Sequence, residues 1–142
     1  MDAARALADL TEISTQIRAA VVLEADGSLL GSTLADEKRG GQMAAAARRL
    51  LDEAASVASA GEASPPAQLQ VSMPEGSVFV VREGGRTIVA TAAADPTIGL
   101  VFYDLKSCLR RLADEDAKPK PKPRARRATR KPPAKKDSDA AS

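Results

Sequence analysis

The spacing of apolar positions divides the chain into eight patterned segments and an unpatterned remainder. From Asp2 to about Gln16, Leu7, Leu10, Ile13 and Ile17 recur at intervals of three and four, the period of a short amphipathic helix. Ala19 to Glu24 (AAVVLE) loses that period and gains β-branched residues. It predicts a strand apolar on both faces, central in a sheet covered on both sides. Asp26-Gly27 accommodates the positive φ of a tight turn, so Ser28 to Leu34 returns as the second strand of a hairpin.

Asp36 is a plausible cap for the longest helical pattern, about Asp36 to Ala60. Met43, Leu50 and Val57 fall on one line of that helix and are expected to fill a core against the sheet. The smaller Ala44, Ala47, Ala54, Ala55 and Ala58, with Leu51, occupy the adjoining arc. The apolar side is therefore wider than one supporting surface needs, and the Ala strip predicts close approach by a second backbone. Arg48, Arg49, Asp52 and Glu53 crowd the opposite, solvated side at i,i+4 spacing. Gly40 and Gly41 either weaken the helix start or permit close packing there.

Gly61 is a natural helix stop. Ala67 to Met73 then alternates cleanly, with Leu69, Val71 and Met73 pointing one way and Gln68, Gln70 and Ser72 the other. That half-polar pattern, bracketed by Pro65, Pro66 and Pro74, marks a sheet edge. Ser77 to Arg82 (SVFVVR) and Thr87 to Ala92 (TIVATA), joined through Glu83-Gly84-Gly85-Arg86, are apolar on both faces and belong inside. After Asp95-Pro96-Thr97, where Asp can cap and Pro is tolerated in a first turn, Ile98, Val101, Leu105, Cys108, Leu109 and Leu112 form the buried stripe of a last helix running to about Glu115.

Charge changes the picture beyond Asp116. Of the 142 residues, 118–142 hold ten Lys or Arg against two Asp, a net of +8, while 1–117 hold eleven basic and seventeen acidic residues, a net of −6. The cations come at every second position at first (Lys118, Lys120, Lys122, Arg124, Arg126), then as Arg127, Arg130, Lys131, Lys135 and Lys136. With no large apolar residue among them, ordering this stretch costs conformational entropy that no burial offsets, and its repeated Lys-Pro predicts a stiff, extended segment. The expected organisation is a domain over 1–116 and a disordered basic tail over 117–142. Ten cations without an aromatic can neutralise phosphates but cannot stack on bases, so the tail is read as a salt-sensitive polyanion binder for DNA, RNA or anionic membrane.

The segments IRAAVVLEADGSLLGSTL, VFVVREGGRTIVATA and ADPTIGLVFYDLKSCLRRL, with the Ala-rich helix between the first two, resemble the roadblock/dynein light chain domain family. Asp26-Gly27, Ser32 and Gly99-Leu100 stand at its turn, second-strand and last-helix positions. The resemblance covers residues 1 to about 115. It implies a profilin-like α/β/α sandwich of the α/β (α+β) class, with a five-stranded antiparallel sheet in the order α-β-β-α-β-β-β-α. It also implies a homodimer in which second helices pack together and third strands join two sheets. Together with the Ala strip and the edge strand, this selects Ala44, Ala47, Leu51, Ala55, Ala58, Gln68, Leu69, Gln70 and Val71 as the expected dimer interface. The implied role is a non-catalytic adaptor or regulator of a small Ras-like GTPase. The basic tail departs from the family pattern. It is similar to the Lys/Ala/Pro tails of linker histones and of some bacterial nucleoid proteins, and the alternative reading is a sequence-independent nucleic-acid-associated protein acting through that tail.

No catalytic set assembles. The chain has no His, which removes Ser-His and Cys-His nucleophiles, and its single Cys108 lies on an apolar stripe and is expected to be inert. One cysteine forms no intramolecular disulfide, and the usual Cys/His zinc sites are excluded. Residues 27–33 (GSLLGST) lack the lysine and glycine spacing of a phosphate loop and are read as a hairpin. Asp52/Glu53 and Asp114/Glu115/Asp116 are read as solvated faces, and no motif supports Arg39, Arg48 or Arg49 as an arginine finger. No cofactor or metal is expected. The acidic start and the lack of a long apolar run predict neither signal peptide nor membrane span, hence a cytoplasmic location.

Overall fold

Apolar runs, continuous inside the sheet and alternating at its β3 edge, build five strands: β1 (Ile17–Leu23), β2 (Leu29–Ser32), β3 (Gln68–Met73), β4 (Gly76–Glu83) and β5 (Arg86–Ala92). The computed structural model describes residues 2–117. Its helices are α1 (Ala3–Ile13), α2 (Glu37–Ala60) and α3 (Ile98–Ala117), in the element order expected from the sequence. The strands form one antiparallel sheet in the order β2-β1-β5-β4-β3, so β1, β5 and β4 are interior and β3 is an edge, as their patterns required. The basic tail, with its ten cations from Lys118 to Lys136, lies outside the described residues. Ala117, assigned to that tail, is instead the last residue of α3.

Side chains alternate across a strand, so the interior strands β1, β4 and β5 each supply both cores. Val22, Phe79, Val81, Ile88 and Ala90 meet α1 and α3 on one face; Val21, Leu23, Val80 and Val89 meet α2 on the other. This is an α/β/α sandwich with two helices on one side and one on the other. Phe79 is fully buried and meets the ring of Phe102 edge-on, centroids 5.0 Å apart at 79°.

Local chemistry explains most boundaries. Asp2 and Asp36 cap α1 and α2, accepting from the Arg5 and Lys38 amides. Gly27, at φ 90°, makes the β1–β2 turn, and Ser28 donates both hydroxyl and amide to the Asp26 carboxylate at 2.7 and 2.9 Å. Those two bonds hold the Asp26 pKa below its ordinary value. Gly40 lies against β2, where a Cβ would stand 3.1 Å from Ser32 Oγ, whereas one at Gly41 would meet nothing. Close packing is therefore the role at Gly40.

Three sequence expectations need correction. Ile13 is 65% exposed, because α1 ends there: the Ser14 amide closes on the Leu10 carbonyl, and Ile17 reaches the core from β1 instead. Ile98 is 45% exposed: on the first turn of α3 it borders an open cleft with Gln70, Ser72 and Met73 of β3 instead of entering the core. Asp95 is not the cap of α3; it sits at φ 55°, and the helix opens after Thr97, whose amide is held by the Gln16 side chain.

Candidate interaction face

α2 sits on its sheet in the opposite sense to that expected. Ala44, Ala47 and Leu51 are 5%, 3% and 7% exposed and pack on Val21, Leu23, Val80 and Val89. The small Ala44 and Ala47 let α2 approach its own sheet closely, so of the expected interface residues Ala44 and Leu51 are buried within the chain and Ala47 forms the floor of a groove. Met43 and Leu50 flank this seat half-buried, and Val57 is 74% exposed rather than buried. Ala55 and Ala58 are half-buried.

The seat is off-centre. α2 lies chiefly over β2, β1 and β5, which leaves the β4 and β3 side of this face open. Between helix and sheet runs a groove of about 280 Å³ lined by Met43, Ala46, Ala47, Leu50, Val78, Val89 and Thr91. Its only polar side chain is the Thr91 hydroxyl. Next to it, Leu69 of β3 also packs against the α2-side core, and Val71 pairs with Val78. Of the expected edge residues, Leu69, Gln70 and Val71 are half-buried and Gln68 is exposed. β3 is hydrogen-bonded to β4 on one side and to no strand on the other among the described residues. An apolar groove and an unpaired strand edge therefore adjoin on one face.

Met43, Ala46, Leu50, Val78 and Thr91 were not singled out as surface residues by the sequence. The available signal was Val78, apolar on the face of SVFVVR that needed a cover α2 supplies only in part. On the far flank of α2, Arg48 Nη1 donates to the Asp26 carbonyl at 3.0 Å, tying the helix to the β1–β2 turn. Arg48, Arg49, Asp52 and Glu53 are all exposed.

Elsewhere the titratable groups serve structure. Arg86–Glu24 (3.2 Å), Arg110–Glu83 (2.7 Å) and Arg111–Asp9 (2.8 Å) are ion pairs. The bond from Arg110 holds the Glu83 carboxyl below its usual range. Among the described residues, no group of three or more His, Cys, Asp or Glu side chains could hold a metal ion, and no helix is long and apolar enough to cross a membrane. Cys108 is buried, and burial pushes its thiol from 9.0 up to about 11. A thiol reagent is expected to leave the native protein unlabelled and to modify it fully in denaturant; rapid native labelling would contradict the placement. Because the folded pKa is the raised one, the unfolded chain sheds this proton first as pH climbs. Stability from this group is whole below pH 9 and is lost between 9 and about 11.

The sequence matches no known family profile and no curated protein. Its fold does match solved structures. A Roadblock/LC7 domain from Streptomyces avermitilis superposes with a TM-score of 0.73 at 18% identity, covering 83% of this chain and all of that one. Myxococcus xanthus MglB gives 0.68 at 13% identity over 80% of this chain and 94% of its own. An MglB with a tetrameric arrangement gives 0.66 at 14% identity over 80% and 88%. The chain therefore has the roadblock fold.

Proposed function

We propose that this chain, built on the Roadblock/LC7 fold, is a homodimeric and non-catalytic adaptor or regulator of a small Ras-like GTPase. The observation that carries the self-association is the open half of the α2 face. A groove with a single hydroxyl, adjoining the free edge of β3, is apolar area whose removal from water contributes roughly 25 cal/mol per Å², and a second copy offers the same surface about a two-fold axis. Similarity to an MglB with a tetrameric arrangement supports association through this fold. In this reading Met43, Ala46, Leu50 and Val78 join Ala55, Ala58 and Gln68–Val71 in the contact. The GTPase follows from the roadblock resemblance of the sequence. A regulator of this kind acts by binding one nucleotide state better than the other, which shifts a population without a reacting group of its own.

Two measurements on the full chain test the two halves separately. Light scattering at micromolar concentration is expected to give twice the 14.8 kDa chain mass; a folded species of single mass ends the dimer reading. The chain immobilised as bait, with lysate supplied in excess GDP or in excess of a non-hydrolysable GTP analogue, is expected to retain a GTP-binding protein in one state only. Retention in neither state, or equally in both, ends the regulator reading.

A further inference from the structure

α1 and α3 pack side by side on the face of the sheet opposite α2, and a second groove, of about 210 Å³, runs between them. Leu10, Ile13, Tyr103 and Cys108 supply its apolar lining, and Asp104, Ser107 and Arg111 its polar atoms. Ile13 on one wall and Tyr103 on the other are each 65% exposed, so both walls hold large apolar surface in water. Leu100, also exposed, extends that surface one turn before Tyr103 on α3. In this setting Asp104 is only 9% exposed, yet among the described residues no hydrogen bond or ion pair reaches its carboxylate. Arg111, the one cation lining the groove, stands seven positions further on, about 10 Å along the helix axis, and donates to Asp9 at 2.8 Å. α1 adds to the negative potential: it ends at Ile13 with no basic residue in its last turn, so its dipole is not neutralised there. A buried charge without a partner is costly to the fold, and here it borders an apolar cleft open to solvent.

We propose that the α1–α3 groove docks a partner protein through one Lys or Arg side chain, whose charged end pairs with Asp104 while its stem lies between Ile13 and Tyr103. A basic side chain suits both parts of the lining. Its methylene stem buries along apolar surface while its head stays polar, and the ring face of Tyr103 attracts the same cation that the carboxylate binds. Pairing removes the cost of leaving Asp104 alone, so the site gains on binding what the free domain lacks. The groove is smaller than the about 300–1,000 Å³ that drug-sized ligands occupy, and so fits a side chain better than a free organic molecule. Apolar neighbours of the inserted residue would then cover Ile13, Tyr103 and Leu100. The inference rests neither on self-association nor on a GTPase, because α1 and α3 lie across the sheet from the α2 groove.

Random dodecapeptides displayed on phage, first depleted on the full-length Asp104→Asn variant and then selected on the native full chain, are the probe. The enriched sequences are expected to share a Lys or Arg beside apolar residues. A fluorescein-labelled synthetic copy, read by anisotropy, should bind the native chain and lose about tenfold or more in affinity on Asp104→Asn, the effect of one charge-assisted pair. Replacing the basic residue of the peptide by Gln should cost as much. Tyr103→Ala, at an exposed position, should weaken binding several-fold with helix content unchanged. The Asp104→Asn chain should melt no lower than the native one, because the carboxylate has no partner among the described residues to lose; a lowered midpoint assigns Asp104 to the fold and overturns the proposal. No enrichment, enriched peptides without a cation, or undiminished binding by Tyr103→Ala overturns it as well. So does displacement of the peptide at about 150 mM salt by a synthetic copy of residues 118–136, which would assign the groove to the chain's own C-terminal segment. A fall in oligomer mass on Asp104→Asn would assign it to a second copy and overturn it too.

Discussion

Truncating Phe79 to alanine is expected to cost about 3–5 kcal/mol of folding stability, the largest effect of any single substitution considered for the domain. The ring is fully buried in the middle of β4, opposite Ala90 on β5, and α3 closes over it. Its removal leaves a cavity between sheet and helix that neither the small Ala90 nor the β-branched Val81 and Ile88 can fill. Phe102 would also lose the edge-on ring contact, worth about 0.5–1.5 kcal/mol beyond burial alone. Against a typical domain stability of about 5–15 kcal/mol, this leaves a marginal fold. Urea unfolding should show a lowered midpoint with an unchanged slope. A loss below about 1 kcal/mol would place the ring outside the core.

Replacing Leu50 with glutamate is expected to weaken self-association at least about a hundredfold, or about 2.7 kcal/mol. Leu50 borders the groove half-buried, so a monomer can turn a carboxylate at this position toward water. A dimer closing over the groove cannot, and burying an unpaired charge is costly. Two-fold symmetry imposes that cost twice. Sedimentation equilibrium should find single subunits at concentrations where the native chain is paired, with helix content unchanged. Persistence of the native dimer in the variant would move the interface away from α2. Ala45→Glu, at an exposed position on the same helix outside the groove, is the matched control and should leave association as it was.

Which strands lie inside the sheet, and that β3 lies at its edge, was legible because each strand states its own environment. SVFVVR and TIVATA are apolar on both faces and proved interior, while QLQVSM is polar on one face and proved an edge. The second helix was legible in extent but not in orientation. A helical wheel shows that an arc is apolar; it does not show which part of the arc touches the sheet. Met43, Leu50 and Val57 looked like the seat because they are large, yet a helix packs closest where its side chains are small, and Ala44 and Ala47 took the position. Ile13 and Ile98 were misplaced for a related reason. Periodicity continues past the point where a helix has sheet beneath it, and only the contacts show where that support stops. The groove was not legible, because its lining comes from α2, β4 and β5 and depends on the lateral offset between them.

On the flank of α2 away from that groove, one guanidinium touches the β1–β2 turn. Arg48 reaches over the β1–β2 turn to the Asp26 carbonyl, and a Cβ on Gly27 would fall 1.7 Å from its Nη1 atom, in a backbone conformation that side chains already resist. A methyl group added at the hairpin tip would therefore displace the end of one flexible, exposed arginine and cost that hydrogen bond, and the left-handed backbone at Gly27 would make the substitution strained in its own right.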